Sequence, residues 1–171
     1  KHQYHFDDRQ GWKWLEEAEE YYRNALELFQ ELWKETGDPE ALQSFAVCYE
    51  RVGEIVRDHV DIFDEHWELY KVKYYYRQAL YLYGQLCQKT QAIPARRDLA
   101  RCYRSLGGIC RKDGSLAEAE EYYIRGLRLA KYIYQLTQEP EDQGLAAGLQ
   151  EDLDKNAKEL AAGDENGNLI E

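Results

Sequence analysis

Apolar side chains recur every three or four residues along most of the chain, which is the spacing of one face of an α-helix. Two stretches show this most clearly, the first with Leu15, Ala18, Tyr22, Ala25, Phe29 and Leu32, and a later one with Ala119, Tyr123, Gly126, Leu127 and Ala130. Polar and charged residues occupy the positions between them. These stretches therefore predict amphipathic helices, each with one buried face.

Threonine and proline divide this pattern into segments. Each of the three prolines follows a threonine by three or four positions, and proline is well tolerated in the first turn of a helix. With a further turn at Asp113-Gly114-Ser115, the chain is predicted to form six helices, over 12–35, 39–58, 65–89, 94–112, 115–136 and 140–161. Residues 12–161 are predicted to form a single domain between two terminal tails, 1–11 and 162–171.

The segments are copies of one another. Residues 21–28 (YYRNALEL) return at 75–82 (YYRQALYL) and at 122–129 (YYIRGLRL), 54 and then 47 residues later. Residues 48–55 (CYERVGEI) return at 102–109 (CYRSLGGI). Repetition at a fixed spacing of this length is the sequence signature of a helical-repeat array, in which neighbouring units bury a continuous core.

These motifs resemble the tetratricopeptide repeat (TPR) family. Tyr103-x-x-Leu106-Gly107 followed by Ala119-x-x-x-Tyr123-x-x-Gly126 is similar to its pattern of an aromatic residue, Leu-Gly, a small residue and an aromatic residue. The same pattern occurs once more around Tyr49, Gly53, Tyr76 and Ala79, and its second half occurs at Ala18, Tyr22 and Ala25. The long spacing resembles the kinesin-light-chain-like subclass. Seven extra residues lie between Gly53 and Tyr76, around 58–64, and are interpreted as a polar loop.

The resemblance implies an all-α fold, a right-handed superhelix of about six antiparallel helices. Repeats are expected over 12–35 (a half repeat), 38–90 and 93–137, with 140–161 as a capping helix. It also implies a protein-interaction module that binds a peptide or partner protein in a concave groove. Two alternatives remain: a regulatory segment of a larger protein that responds to a signalling peptide, and a self-associating scaffold. The sequence contains no methionine, which indicates a processed or excised piece of a longer chain, or unwritten modified methionines.

Composition narrows the classes of partner. The formal net charge of −11 argues against nucleic acid and anionic membranes, because both require a basic surface. No apolar run approaches the ~20 residues of a membrane span. The four cysteines match no metal or haem spacing and are expected to be reduced thiols in a cytoplasmic protein.

Catalytic and cofactor chemistry finds little support in the sequence. The three serines, Ser44, Ser105 and Ser115, lack a nucleophile-elbow setting, and there is no phosphate-binding loop. We therefore predict a protein without enzymatic activity or cofactor. The remaining candidate is a metal site at His59 and His66, where Asp61, Asp64 and Glu65 are nearby. His2 and His5 provide a weaker one near the N-terminus.

A basic segment provides the candidate binding residues. Between Ile93 and Lys112 six cations accompany one acid, giving +5 within a chain of net charge −11. In this family the first helix of each pair lines the groove. The expected groove residues are Arg101, Arg104, Arg111 and Lys112 on that helix and Glu50, Glu54 and Arg57 on the preceding first helix. Arginine binds carboxylates with two parallel hydrogen bonds, so an acidic segment of a partner is the expected ligand. The alternative is that these arginines pair with neighbouring glutamates and only balance charge.

Tyrosine is unusually frequent, with fifteen residues. Tyr22, Tyr76 and Tyr123 occupy equivalent repeat positions and are expected in the core. Five others, at 74, 81, 83, 132 and 134, cannot all be buried, and those left exposed are expected to offer a surface to a partner.

Overall fold

The computed structural model describes residues 8–63 and 69–167. Within these ranges the chain forms helices and connecting turns, and no strand. The six helices are α1 (Asp8–Thr36), α2 (Pro39–Phe63), α3 (Leu69–Thr90), α4 (Ile93–Lys112), α5 (Leu116–Thr137) and α6 (Pro140–Gly167). The predicted all-α fold and its six helices are confirmed.

Several helix boundaries differ from the prediction. The extra residues after Gly53 were expected to form a loop after a helix ending at residue 58, but they continue α2 to Phe63. The reason is that Val52, Val56 and Val60 are all buried at four-residue spacing, so the apolar face continues past the acidic residues. In addition, α1 begins at Asp8 rather than at residue 12, and α6 continues to Gly167 rather than ending at 161.

The junctions between repeats share one local hydrogen-bonding arrangement. Thr36, Thr90 and Thr137 each end a helix, and each threonine Oγ accepts a hydrogen bond from the backbone N–H two residues later. The next residue, at 37, 91 or 138, adopts a left-handed conformation with φ between 51° and 64°, which stops the helix. The chain can then turn and begin the next helix at a proline or one residue before it.

The chain divides within α3 into two compact units, Lys1–Ala79 and Leu80–Glu171. In the first unit the most buried large side chains are Leu42, Val52, Val60, Val72 and Tyr76. In the second unit α5 lies between α4 and α6 and packs extensively against both. The core of the second unit is built around Ala100, Cys110, Tyr123, Ala130 and Leu149.

Glycine and tyrosine meet at equivalent places in both units. A Cβ atom at Gly53 would lie 2.8 Å from the ring of Tyr76, and one at Gly107 would lie 2.5 Å from Cε1 of Tyr123. Both tyrosines are almost fully buried. The glycine at the end of the aromatic-x-x-aliphatic-Gly motif is therefore the position at which an aromatic ring of the next helix packs on bare backbone.

Candidate functional site

The basic helix α4 faces α6, and carboxylates of α6 meet its arginines. The pairs are Arg97 with Asp142, Arg101 with Glu141, Arg104 with Asp152 and Arg111 with Glu159. Three of the four predicted groove cations of α4 therefore lie within one row of ion pairs. We call this row the α4–α6 ladder, which runs from the start of α6 to its third quarter.

The first rung of the ladder is buried. Arg97 donates two hydrogen bonds, from Nε to Oδ1 of Asp142 at 2.7 Å and from Nη2 to Oδ2 at 2.8 Å. The hydroxyl of Thr137 donates to Oδ2 of the same carboxylate at 2.5 Å. Asp142 is only 1 % exposed, and the hydrogen bonds from Arg97 hold its pKa below the usual range. This rung belongs to the fold, because it fixes the start of α6 on α4 and on the end of α5.

The next rungs are open to solvent. Arg101 pairs with Glu141 of α6 and also donates to Asp98 in its own helix, at 3.2 Å. Arg104 donates from Nε to Oδ2 of Asp152 at 2.6 Å. Both guanidinium side chains remain nearly half exposed. They present positive charge at the surface although each already holds one carboxylate.

Glycine brings the two helices close at the centre of the ladder. A Cβ atom at Gly148 would lie 2.7 Å from Nη1 of Arg104, so the guanidinium of Arg104 lies directly on the backbone of α6. The pair of Arg111 with Glu159 is longer, at 3.9 Å. Lys112 is exposed at the end of α4. The nitrogen–oxygen distances of the ladder are therefore short near the start of α6 and longer at the end of α4.

The predicted groove residues of α2 belong to the other unit. There Arg51 donates from Nη1 to Oε2 of Glu54 at 2.6 Å. Arg57 donates to the hydroxyl of Tyr76 at 3.3 Å and to Asp58. Glu50 is partly buried. Arg51 and Glu54 form a pair within α2, and Arg57 links α2 to Tyr76 of α3. The excess of basic residues found on α4 does not occur along α2.

The predicted exposure of some tyrosines is confirmed. Tyr74, Tyr81 and Tyr132 are exposed, while Tyr83 is fully buried and Tyr134 is partly buried. The ring of Tyr132 lies 5.3 Å below the guanidinium carbon of Arg96, a distance typical of a cation–π contact. The expected core positions of Tyr76 and Tyr123 are also confirmed. Their counterpart Tyr22 is only partly buried.

All four cysteines are free thiols. Cys48, Cys102 and Cys110 are buried and Cys87 is partly buried. Burial raises the pKa of the thiols of Cys48 and Cys87. The expected packing of cysteine in the core is confirmed for the three buried residues.

The histidine clusters lie outside the described side chains. This applies to the candidate metal ligands His59 and His66, to the acids at 61, 64 and 65, and to His2 and His5. Among the residues that the structure describes, no group of three or more metal-binding side chains comes together. In the same part of the chain, no helix has the length and apolar character needed to cross a bilayer.

The alternative that the arginines pair with glutamates of a neighbouring helix is confirmed for Arg101 and Arg111, but sequence reasoning did not name the partners in α6. Asp142, Asp152 and Glu159 were not recognised as partners, although one signal was available. Asp142 occupies the repeat position held by Ala41 and Ala95, because all three lie five residues after the junction threonine. An acid at a position that is otherwise a buried alanine indicates a specific partner.

Comparison with known proteins supports the fold. No family model and no curated protein matches the chain. Two solved structures are similar to it: one titled "DHF79 filament", at 20 % identity and a TM-score of 0.57, and the de novo designed helical repeat protein DHR64, at 16 % identity and a TM-score of 0.51. The matches cover 91 % and 92 % of this chain, and 78 % and 80 % of the other two. At these identities the likeness concerns the fold alone, and the chain is an all-α helical-repeat protein.

Proposed function

We propose that this chain is a protein-interaction module of the TPR type that binds an acidic segment of a partner along the α4–α6 ladder. The observation that carries the proposal is the state of Arg101 and Arg104, which are half exposed and already hold carboxylates. A surface that binds the carboxylates of its own helix α6 has the geometry to bind those of a ligand. The motif that ends in Gly53 and Gly107 supports the assignment to the TPR type.

A ligand carboxylate can most easily replace a carboxylate of α6 at the solvent-exposed ion pairs of the ladder. An exposed ion pair contributes about 0–1 kcal/mol, so a ligand carboxylate competes with Glu141 or Asp152 against a small free-energy difference. The displaced carboxylate returns to water without a burial cost. A single acid would gain little, whereas several acids in series would exchange several rungs together. The expected ligand is therefore a run of acidic residues, and the buried rung of Arg97 and Asp142 takes no part.

A binding role without catalysis agrees with the surroundings of Ser115. Ser115 donates from Oγ to Oδ1 of Asp113 at 2.6 Å, within the turn before α5. The backbone N–H of Ser115 bonds the same oxygen at 3.1 Å. This arrangement stabilises a turn. Activation of the hydroxyl as a nucleophile would require a general base that is itself oriented by a third group.

The test is a titration of the whole chain with a fluorescent hexaglutamate peptide, followed by anisotropy at low salt. We expect Arg101→Gln/Arg104→Gln to weaken binding about tenfold or more, because two charge-assisted hydrogen bonds are removed. The matched control is Arg125→Gln, since Arg125 is also solvent-exposed on α5 and, among the residues that the structure describes, forms its ion pair within its own helix, with Glu121. This control should bind as the wild type does.

A second variant tests the exchange directly. Glu141→Gln/Asp152→Asn leaves both arginines in place and removes the internal competitors, so we expect tighter binding of the peptide and a steeper dependence on salt. Unchanged affinity in both double variants, with circular dichroism showing folded protein, would refute the ladder as the binding site.

A further inference from the structure

The face of α1 that points away from α2 is apolar and open. Tyr21, Leu28 and Leu32 are 77 %, 67 % and 44 % exposed, and Ala25 lies between them on the same face. The four residues follow one another at steps of four, three and four, which places them in one stripe. We call this stripe the α1 open face. Isolated exposed apolar residues are ordinary, but a contiguous stripe over three helical turns indicates an interaction surface.

Internal repetition shows what such a face normally does. The residues equivalent to this stripe are Tyr75, Ala79, Leu82 and Leu86 in α3, 54 residues later, and Tyr122, Gly126, Leu129 and Ile133 in α5, another 47 residues later. In α3 the last three of these are buried, and in α5 Gly126 and Ile133 are buried while the other two are partly buried. The same positions are therefore covered in two helices and exposed in α1.

In the second unit the covering element is visible. Helix α4 lies on this face of α5, with the ring of Tyr103 6.3 Å from that of Tyr122. A Cβ atom at Gly126 would lie 3.1 Å from Cβ of Tyr103 and 3.4 Å from the carbonyl oxygen of Ala100. The natural cover for the α1 open face is thus a helix in the position that α4 takes on α5.

The charged residues along α1 indicate which side chains the docked helix should carry. One edge of the α1 open face carries five exposed glutamates, Glu17, Glu20, Glu27, Glu31 and Glu35. The residue equivalent to Glu31 in α5 is Tyr132, and the guanidinium of Arg96 in α4 lies over its ring. A helix docked on α1 in the same way would place its residue equivalent to Arg96 next to Glu31. A basic side chain there would be stabilised, and an acidic one would be repelled.

Neither α6 nor α1 of a second copy fits this face. At the other end of the chain, α6 carries Gln150 and Asp154 at the positions equivalent to Tyr103 and Gly107, and the two are hydrogen-bonded at 3.0 Å. The docking motif is therefore replaced by polar side chains. Pairing of α1 with α1 of a second copy would bring two rows of glutamates together, which is unfavourable.

We infer that the α1 open face binds an amphipathic helix of a partner protein, with small and aromatic residues on its apolar face and arginine or lysine along one edge. The helix carries a glycine where it crosses Tyr22, as Gly53 and Gly107 do at Tyr76 and Tyr123. This site is separate from the α4–α6 ladder and takes a basic helix rather than an acidic segment. The two proposals can therefore fail independently.

The probe is a peptide of residues 93–112, the sequence of α4, which carries six cations and one acid. It is titrated under reducing conditions against the whole chain, with binding followed by fluorescence anisotropy. We expect saturable binding that weakens about tenfold or more in Leu28→Glu, because a charge is then placed in the apolar contact. The control protein is Leu136→Glu, since Leu136 is also exposed, 54 %, but lies on α5 outside this face. The control peptide is residues 39–58 of α2, which has four acids and two cations and should bind more weakly than the α4 peptide.

Several results would overturn the proposal. One is the absence of binding by the α4 peptide at millimolar concentration. Another is equal binding to wild type and to Leu28→Glu, which would place the peptide elsewhere, for example in exchange with α4 itself. Stronger binding of the α2 peptide would refute the basic edge. Light scattering that shows a wild-type dimer, dissociated by Leu28→Glu and not by Leu136→Glu, would make a second copy the occupant instead.

Discussion

The ring of Tyr123 occupies the space that a side chain at Gly107 would need, with Cε1 2.5 Å from the position of a Cβ atom there. Tyr123 is almost fully buried in the core of the second unit. The ring therefore has little room to move away. The pair shows how α5 can approach α4 closely enough to exclude water.

We expect Gly107→Ala to lower the free energy of unfolding by about 1–3 kcal/mol, the usual range for overpacking a core. The neighbouring Gly108→Ala is the matched control. A Cβ atom at Gly108 has its nearest contact at 3.8 Å, with the hydroxyl of Tyr123. Removing a helical glycine without a clash should stabilise by about 0.5–1 kcal/mol. Urea unfolding of both variants measures the difference, and equal effects would contradict the packing argument.

Asp142 should make stability sensitive to acid. Its pKa in the folded chain is lowered, mainly by the hydrogen bonds from Arg97. Because the folded pKa lies below the unfolded value near 3.9, the contribution is fully present above the unfolded value. It is lost as the pH falls through the folded value. Urea unfolding between pH 5 and pH 2 should show a smaller loss in Asp142→Ala than in the wild type.

A double variant at the same site separates the effect of the unpaired charge on stability from the effect of packing. At neutral pH Asp142→Ala alone should cost about 1–3 kcal/mol, since it leaves the partly exposed Arg97 without its partner. The double variant Arg97→Gln/Asp142→Ala introduces the residues found at the equivalent positions, Gln43 and Ala95. It should recover much of that loss. Equal losses in the single and double variants would show that the pair is not the source of the effect.

Tyr123 should limit stability at high pH. Burial raises the pKa of Tyr123 to about 12, above the unfolded value near 10. The neutral phenol is favoured in the fold, so this contribution is complete below the unfolded value. It is lost as the pH rises from about 10 towards about 12. In Tyr123→Phe the fall in unfolding free energy over that interval should be smaller, and an absorbance titration should lack one tyrosine that ionises well above the ordinary value.

The thiols should react in an order set by burial. Cys87 is partly exposed, while Cys48, Cys102 and Cys110 are buried. We expect iodoacetamide at neutral pH to modify Cys87 first and slowly, because its pKa is raised by burial. The other three should react at comparable rates only in urea. Mass spectrometry of the labelled peptides distinguishes the four sites, and early labelling of Cys102 would contradict the core packing.

The repeat predicted the fold, because each motif position performs a packing task that recurs. Gly107 and Tyr123 were recognised as motif positions from the sequence, with Tyr123 expected in the core, and the structure places them in contact. The extension of α2 was missed because the acids at 58 and 61 resemble a loop. The buried Val60 carries the helix onward, and burial of one face outweighs local polarity.

The sequence could not identify which carboxylate each arginine of α4 pairs with. Repeat spacing places Glu151 at the position equivalent to Arg104, but the partner of Arg104 is the next residue, Asp152. Glu151 instead pairs with Lys155 in its own helix, at 2.8 Å. A difference of one residue rotates a side chain by about 100° around a helix. Pairing between long side chains therefore depends on geometry that a repeat pattern does not specify.

The polar face of α6 also restricts how such a chain can lengthen by gene duplication. A duplicated segment of 47 residues, inserted before Pro140, would meet a cognate helix on both sides and keep the threonine junction in frame. The same segment added after α6 would have to dock on Gln150 and Asp154, where the tyrosine and glycine of the motif are missing. An added repeat therefore fits this packing scheme when it is inserted upstream of α6, where both neighbouring helices carry the motif.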